Sequence, residues 1–94
     1  MKLLKNVYYE LEKAKIVDTF EEFSTEFLKK DRSTMSFLLN RKREMSLYAQ
    51  INCLKEIHKH IEYLKDNEKL RHLNIAKDMI RESISNKYKF QISI

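Results

Sequence analysis

Residues 18–46 read DTFEEFSTEFLKKDRSTMSFLLNRKREMS, and this stretch decides the fold. Asp18 or Thr19 caps a helix, with Glu21 or Glu22 three residues on, as in a capping box. Phe20, Phe23, Phe27 and Leu28 form its buried face. Asp18, Glu21, Glu22 and Glu26 give this helix four acids and no base. Lys29-Lys30 makes a turn. Asp31 caps a second short helix running from Arg32 to about Asn40. Met35, Leu38 and Leu39 lie three and four apart and point inward. Arg32, Ser33, Ser36 and Phe37 are left on the outer face. Arg41-Lys42-Arg43 follows as a basic loop, and Ser46 caps the next helix. A compact helix with small hydroxyl side chains on one face and a basic loop behind it suits a DNA major groove.

Outward from this stretch, the periodicity remains helical. Before it, Leu3, Leu4, Val7, Tyr8 and Leu11 mark a first helix over residues 2–15, and Ile16 and Val17 are the apolar pair leaving it. After it, Leu47, Ile51, Leu54, Ile57, Ile61 and Leu64 carry one apolar seam, and Leu70, Leu73, Ala76, Ile80 and Ile84 a second. The two seams change phase across Asp66 to Lys69. Either the helix breaks there into a hairpin, or the stripe rotates around one long helix. Asp66 and Asn67 are poor interior residues and good caps, which favours the break. The last eight residues, KYKFQISI, change period. Tyr88, Phe90, Ile92 and Ile94 alternate with polar residues, which argues for a strand. A lone strand needs a partner from another chain, or it is a frayed tail. The expectation is one all-α domain over residues 1–94. It has four to five helices: a helix-turn-helix core over 1–46, a long helical hairpin over 47–86 and a strand-like tail over 87–94.

Composition narrows the function. The 94 residues contain no Gly and no Pro, which favours helices joined by side-chain-capped turns. Without Gly, the loops that let backbone approach phosphate in P-loop and dinucleotide sites are excluded. Cys53 reads as a small core residue in a reducing compartment, so a cytoplasmic location is expected. Phe37-Leu38-Leu39 is far too short an apolar run for a membrane span. His58 and His60 are two apart and point to different faces, and Cys53 is five residues before His58, so no metal site is expected. All three histidines, His72 included, read as solvated helix-surface residues. No serine has a His and an orienting acid nearby, so neither an enzyme nor a cofactor is expected. The formal charge is +5. From Lys29 to Arg43 six bases stand against one acid, Asp31. A solvated basic loop is the plain reading of such a cluster. Here, however, the bases flank both ends of one short helix, which is where phosphate-binding charge is useful.

These residues resemble the lambda-repressor and Cro-like helix-turn-helix superfamily. In that superfamily the recognition helix ends in Asn-Gly-Lys-Arg-x-Pro-Ser, and here Asn40-Arg41-Lys42-Arg43-Glu44-Met45-Ser46 stands in its place. Ser33-Thr34-Met35-Ser36-Phe37-Leu38 fits the recognition helix, and Phe23-Ser24-Thr25-Glu26-Phe27-Leu28 looks like the positioning helix. With Tyr8-Tyr9-Glu10-Leu11 in the first helix, the pattern is similar to a small uncharacterised family of short phage and bacterial proteins. The likeness covers about residues 7–60. It departs in a turn about one residue longer, and in Lys29 and Arg41 at the turn and loop positions where Gly is usual.

The resemblance implies a sequence-specific regulator of phage or mobile-element type that binds double-stranded DNA through a recognition helix at about 32–40. Arg32, Ser33, Ser36 and Phe37 are the candidate base contacts. Lys29, Lys30, Asn40, Arg41, Lys42 and Arg43 are the candidate phosphate contacts. Apart from the resemblance, the alternating tail makes Tyr88, Phe90, Ile92 and Ile94 the candidate homodimer interface, with packing between the two long helices of both chains as the alternative. The alternative is a small protein-binding module, such as a phage-encoded inhibitor of a host protein, that uses the same fold without DNA. A membrane partner is not expected, because the long helices carry acids among their lysines.

Overall fold

Leu4, Val7, Tyr8 and Leu11 recur at helical spacing because they are the buried stripe of α1 (Lys2–Lys13). The computed structural model describes residues 2–88, apart from the side chain of Tyr88. Four further helices follow. They are α2 (Phe20–Glu22), which passes directly into a π-helical turn (Phe23–Phe27), α3 (Thr34–Asn40), α4 (Leu47–Tyr63) and α5 (Asn67–Tyr88). The chain is all-α, with a short-helix segment between α1 and the long α4–α5 hairpin. No strand occurs among the described residues.

The helix starts follow the local chemistry. Thr19 Oγ1 accepts the Glu22 N–H at 3.1 Å, and Glu22 reaches back to the Asp18 N–H at 2.7 Å. The capping box is therefore closed one residue beyond its usual position. Ser46 Oγ accepts the Ala49 N–H at 3.1 Å and starts α4. Asp66 Oδ1 accepts the Lys69 N–H at 3.0 Å and starts α5, so the phase change marks a true break.

The helix ends have no glycine to use. Three lysines take the left-handed conformation instead: Lys15 at φ 59°, Lys29 at φ 57° and Lys42 at φ 53°. After α1, the Ile16 N–H bonds to Leu11 O and the Lys15 N–H to Glu12 O. After α3, the Arg43 N–H bonds to Leu38 O and the Lys42 N–H to Leu39 O. Both are Schellman closures with lysine where glycine is usual. Lys29 is one of the two departures read from the sequence. The other falls at Lys42, one residue beyond Arg41.

α5 packs against both α1 and α4, and the π-helical turn packs on α4. One apolar core joins all of them. Phe23, Phe27 and Leu28 meet Leu4 and Leu11 of α1, Cys53, Leu54 and Ile57 of α4, and Leu73, Ala76, Ile80 and Ile84 of α5. Met35 seats α3 in the same core. The thinnest dimension of the molecule is 19 Å, two layers of helices of about 10 Å each. No described helix is long and apolar enough to cross a membrane.

Two expectations change. Lys87 and Tyr88, read as the start of a strand, close α5, because helix hydrogen bonding continues past the point where the period changes. Phe90, Ile92 and Ile94 lie outside the described residues. Of the histidines read as solvated, His58 has a buried ring nitrogen, His60 is half-buried and stacked on Phe27, and His72 is 8% exposed. It sits beside Leu73 in the stripe that α5 presents to α1, and there it meets a carboxylate.

Candidate nucleic-acid interface

α3 is held by contacts remote in sequence. Ser33, its first flanking residue, makes no side-chain cap bond. The cap comes instead from Ser24, buried in the π-helical turn: its Oγ accepts the Met35 N–H at 2.9 Å and donates to Phe20 O at 2.9 Å. This one hydroxyl ties α2 to α3 and satisfies a buried N–H that the first turn of a helix leaves without a partner. Six residues, 28–33, separate the π-helical turn from α3. Asn52 of α4 pins them by donating to Leu28 O at 3.1 Å. Lys29 adds an ion pair, its Nζ lying 3.0 Å from Glu56 Oε1.

Two acids close to α3 in the chain are engaged by hydrogen bonds, Asp31 on the surface and Glu44 half-buried. Asp31 Oδ1 accepts both the N–H and the hydroxyl of Ser33, at 2.9 and 2.6 Å. The Ser33 hydroxyl bond first, then its N–H bond, hold the Asp31 carboxyl below the usual aspartate range. Glu44 faces inward. Its carboxylate accepts the Leu3 and Leu4 N–H groups at 3.0 and 2.7 Å, and the Met45 N–H at 3.2 Å. A negative side chain here answers the positive end of α1. It also locks the basic loop to the rest of the fold.

The candidate base contacts fall in two places. Arg32 and Ser33 are exposed in the turn before α3, which begins at Thr34 and not at Arg32. Ser36 is half-buried, and Phe37 is 48% exposed. The Arg41 guanidinium lies over the Phe37 ring, 4.9 Å from its centroid. The candidate phosphate contacts Lys29, Lys30, Asn40, Arg41, Lys42 and Arg43 are all exposed, and Lys29 is paired with Glu56. The ammonium of Lys30 lies 5.9 Å from the centre of the Tyr48 ring. Between α3 and the start of α4 is an open cleft of about 380 Å³, lined by Lys30, Thr34, Phe37, Arg43 and Ser46 among others. Six exposed cations, one of them paired with Glu56, thus frame one short helix.

A model of the DUF6626 family, described as a family of unknown function, matches residues 4–90. The chain belongs to the DUF6626 family. The DUF6626 match runs through every helix, so the α3 surface lies wholly within it. No curated protein and no solved structure matches the chain.

A second polar cluster in this DUF6626 chain was not legible in the sequence. His72 Nδ1 of α5 lies 2.7 Å from Glu10 Oε1 of α1, and its Nε2 lies 3.3 Å from Glu68 Oε1. Lys13 Nζ reaches Glu10 Oε2 at 3.3 Å. Burial raises the Glu10 pKa, but the bonds to His72 and Lys13 outweigh it and hold the carboxyl below its usual value. The one available signal was that His72 occupies a position on the apolar stripe of α5. The cluster fastens α1 to α5 and leaves the α3 surface alone.

Proposed function

We propose that the chain is a DNA-binding regulator of phage or mobile-element type, acting in the cytoplasm as a homodimer. α3 enters the major groove while Arg41, Lys42 and Arg43, with Lys30, hold phosphates. Arg32 and Ser33 approach the base edges, Arg32 toward guanine. Two copies set their recognition helices about 34–36 Å apart, one turn of duplex.

One observation supports this reading above the rest. Glu44 is committed to the first amides of α1, and Asp31, exposed and bonded to Ser33, is the one acid in the run from Lys29 to Arg43, so positive charge dominates around α3. A basic loop on an ordinary solvated surface is commonly interleaved with acids that cancel it. Here one acid stands among six exposed bases, and the excess positive charge faces solvent.

Fluorescence anisotropy on mixed-sequence duplex DNA across a salt series tests the proposal. Each phosphate contact contributes about −0.9 to the log–log salt slope. The triple variant Arg41→Ala, Lys42→Ala, Arg43→Ala is expected to flatten the slope by about 2.7. An unchanged affinity and slope would show that the loop does not touch DNA.

A further inference from the structure

Two large aromatic rings stand on this surface without being part of the core. Phe37 is 48% exposed and Tyr48 75% exposed. Each carries a cation against its ring: Arg41 on Phe37 and Lys30 on Tyr48. Phe37 and Lys30 line the same cleft, with Arg43, Glu44 and the hydroxyl residues Thr34 and Ser46, and Tyr48 adjoins it through Lys30. We infer that this cleft takes unpaired bases, stacked on Phe37 and Tyr48, with their phosphates held by Lys30, Arg41 and Arg43. The preferred target is then a duplex that carries a short unpaired stretch. This inference rests on the reading of the surface as a nucleic-acid site and adds what that site selects.

The physical reason lies in which base faces are free. In a paired duplex each base is already stacked on its neighbours, so a protein ring finds only edges in the groove. An unpaired base offers its π-face, which stacks on an aromatic ring or on a guanidinium plane. The Phe37–Arg41 pair presents both kinds of partner, the Tyr48–Lys30 pair a ring with a point charge beside it, and either cation can meet the adjoining phosphate. The major-groove reading by itself uses the small side chains and Arg32. It leaves Tyr48, outside α3, without a task.

The test is fluorescence anisotropy of the full chain with three DNA probes: a paired duplex, the same duplex with a central unpaired stretch of four nucleotides, and one strand alone. The duplex with the unpaired stretch is expected to bind at least about tenfold tighter than the paired one. Base stacking on a ring is worth about 5- to 140-fold per base, from the range seen on alanine replacement. Phe37→Leu and Tyr48→Leu keep an apolar side chain but remove the ring face. Each is expected to lose most of the preference, and Tyr48→Leu, outside α3, is expected to leave paired-duplex affinity unchanged. Circular dichroism confirms that both variants fold. Equal affinity for paired and unpaired probes overturns the inference while leaving the duplex reading intact, as does a preference that survives both variants. No binding to any probe overturns both.

Discussion

Replacing the left-handed lysines by glycine tests the most unusual feature of this fold, helix ends built with no glycine in the chain. A non-glycine residue in the left-handed region costs about 1–2 kcal/mol. Glycine removes that cost but adds freedom to the unfolded chain, which offsets roughly 0.5–1 kcal/mol. Lys15→Gly and Lys42→Gly are each expected to stabilise the protein by about 0.5–1 kcal/mol. For a domain of this size that raises Tm by about 2–8 °C. Lys29→Gly differs because it also breaks the ion pair with Glu56. The Lys29 side chain is 48% exposed, and such a pair contributes about 0.2–1 kcal/mol. The two effects nearly cancel, so Lys29→Gly should be close to neutral. Urea titration followed by circular dichroism reads all three. Lys42→Gly adds a functional contrast: a more stable protein whose DNA salt slope is smaller by about 0.9, because one phosphate contact is gone. A Lys15→Gly variant no more stable than the parent would refute the conformational argument.

Two further outcomes are expected. Ser24→Ala leaves the buried Met35 N–H without an acceptor, at about 1–3 kcal/mol in urea titration, and Ser24→Thr, which keeps the hydroxyl, should lose less. Glu10 has its pKa held below 4.5 in the fold, so it adds stability above that pH and the gain disappears as pH falls through the folded value; Glu10→Gln should flatten this acid limb in melting curves taken as a function of pH, and an unaltered limb would remove Glu10 from the account.

Much of this fold was legible because its signals are local. Helical spacing in α1, α4 and α5, the caps at Thr19, Ser46 and Asp66, and the break before α5 each depend on residues within a turn of one another. The six bases around α3 were visible for the same reason. What the sequence by itself determined was therefore an all-helical chain with one basic short-helix segment. The tertiary structure decided what that segment presents. It paired Lys29 with Glu56 of α4, and it set the Glu44 carboxylate on the first amides of α1, about forty residues away in the chain. It capped α3 from Ser24, and it placed His72 against Glu10. A buried partner is chosen by which surfaces meet when the helices pack, and no window of sequence contains that information. The alternating tail shows the converse. Lys87 and Tyr88 carry a period of two, yet they continue α5, because a helix already formed adds one hydrogen bond for each residue it fixes.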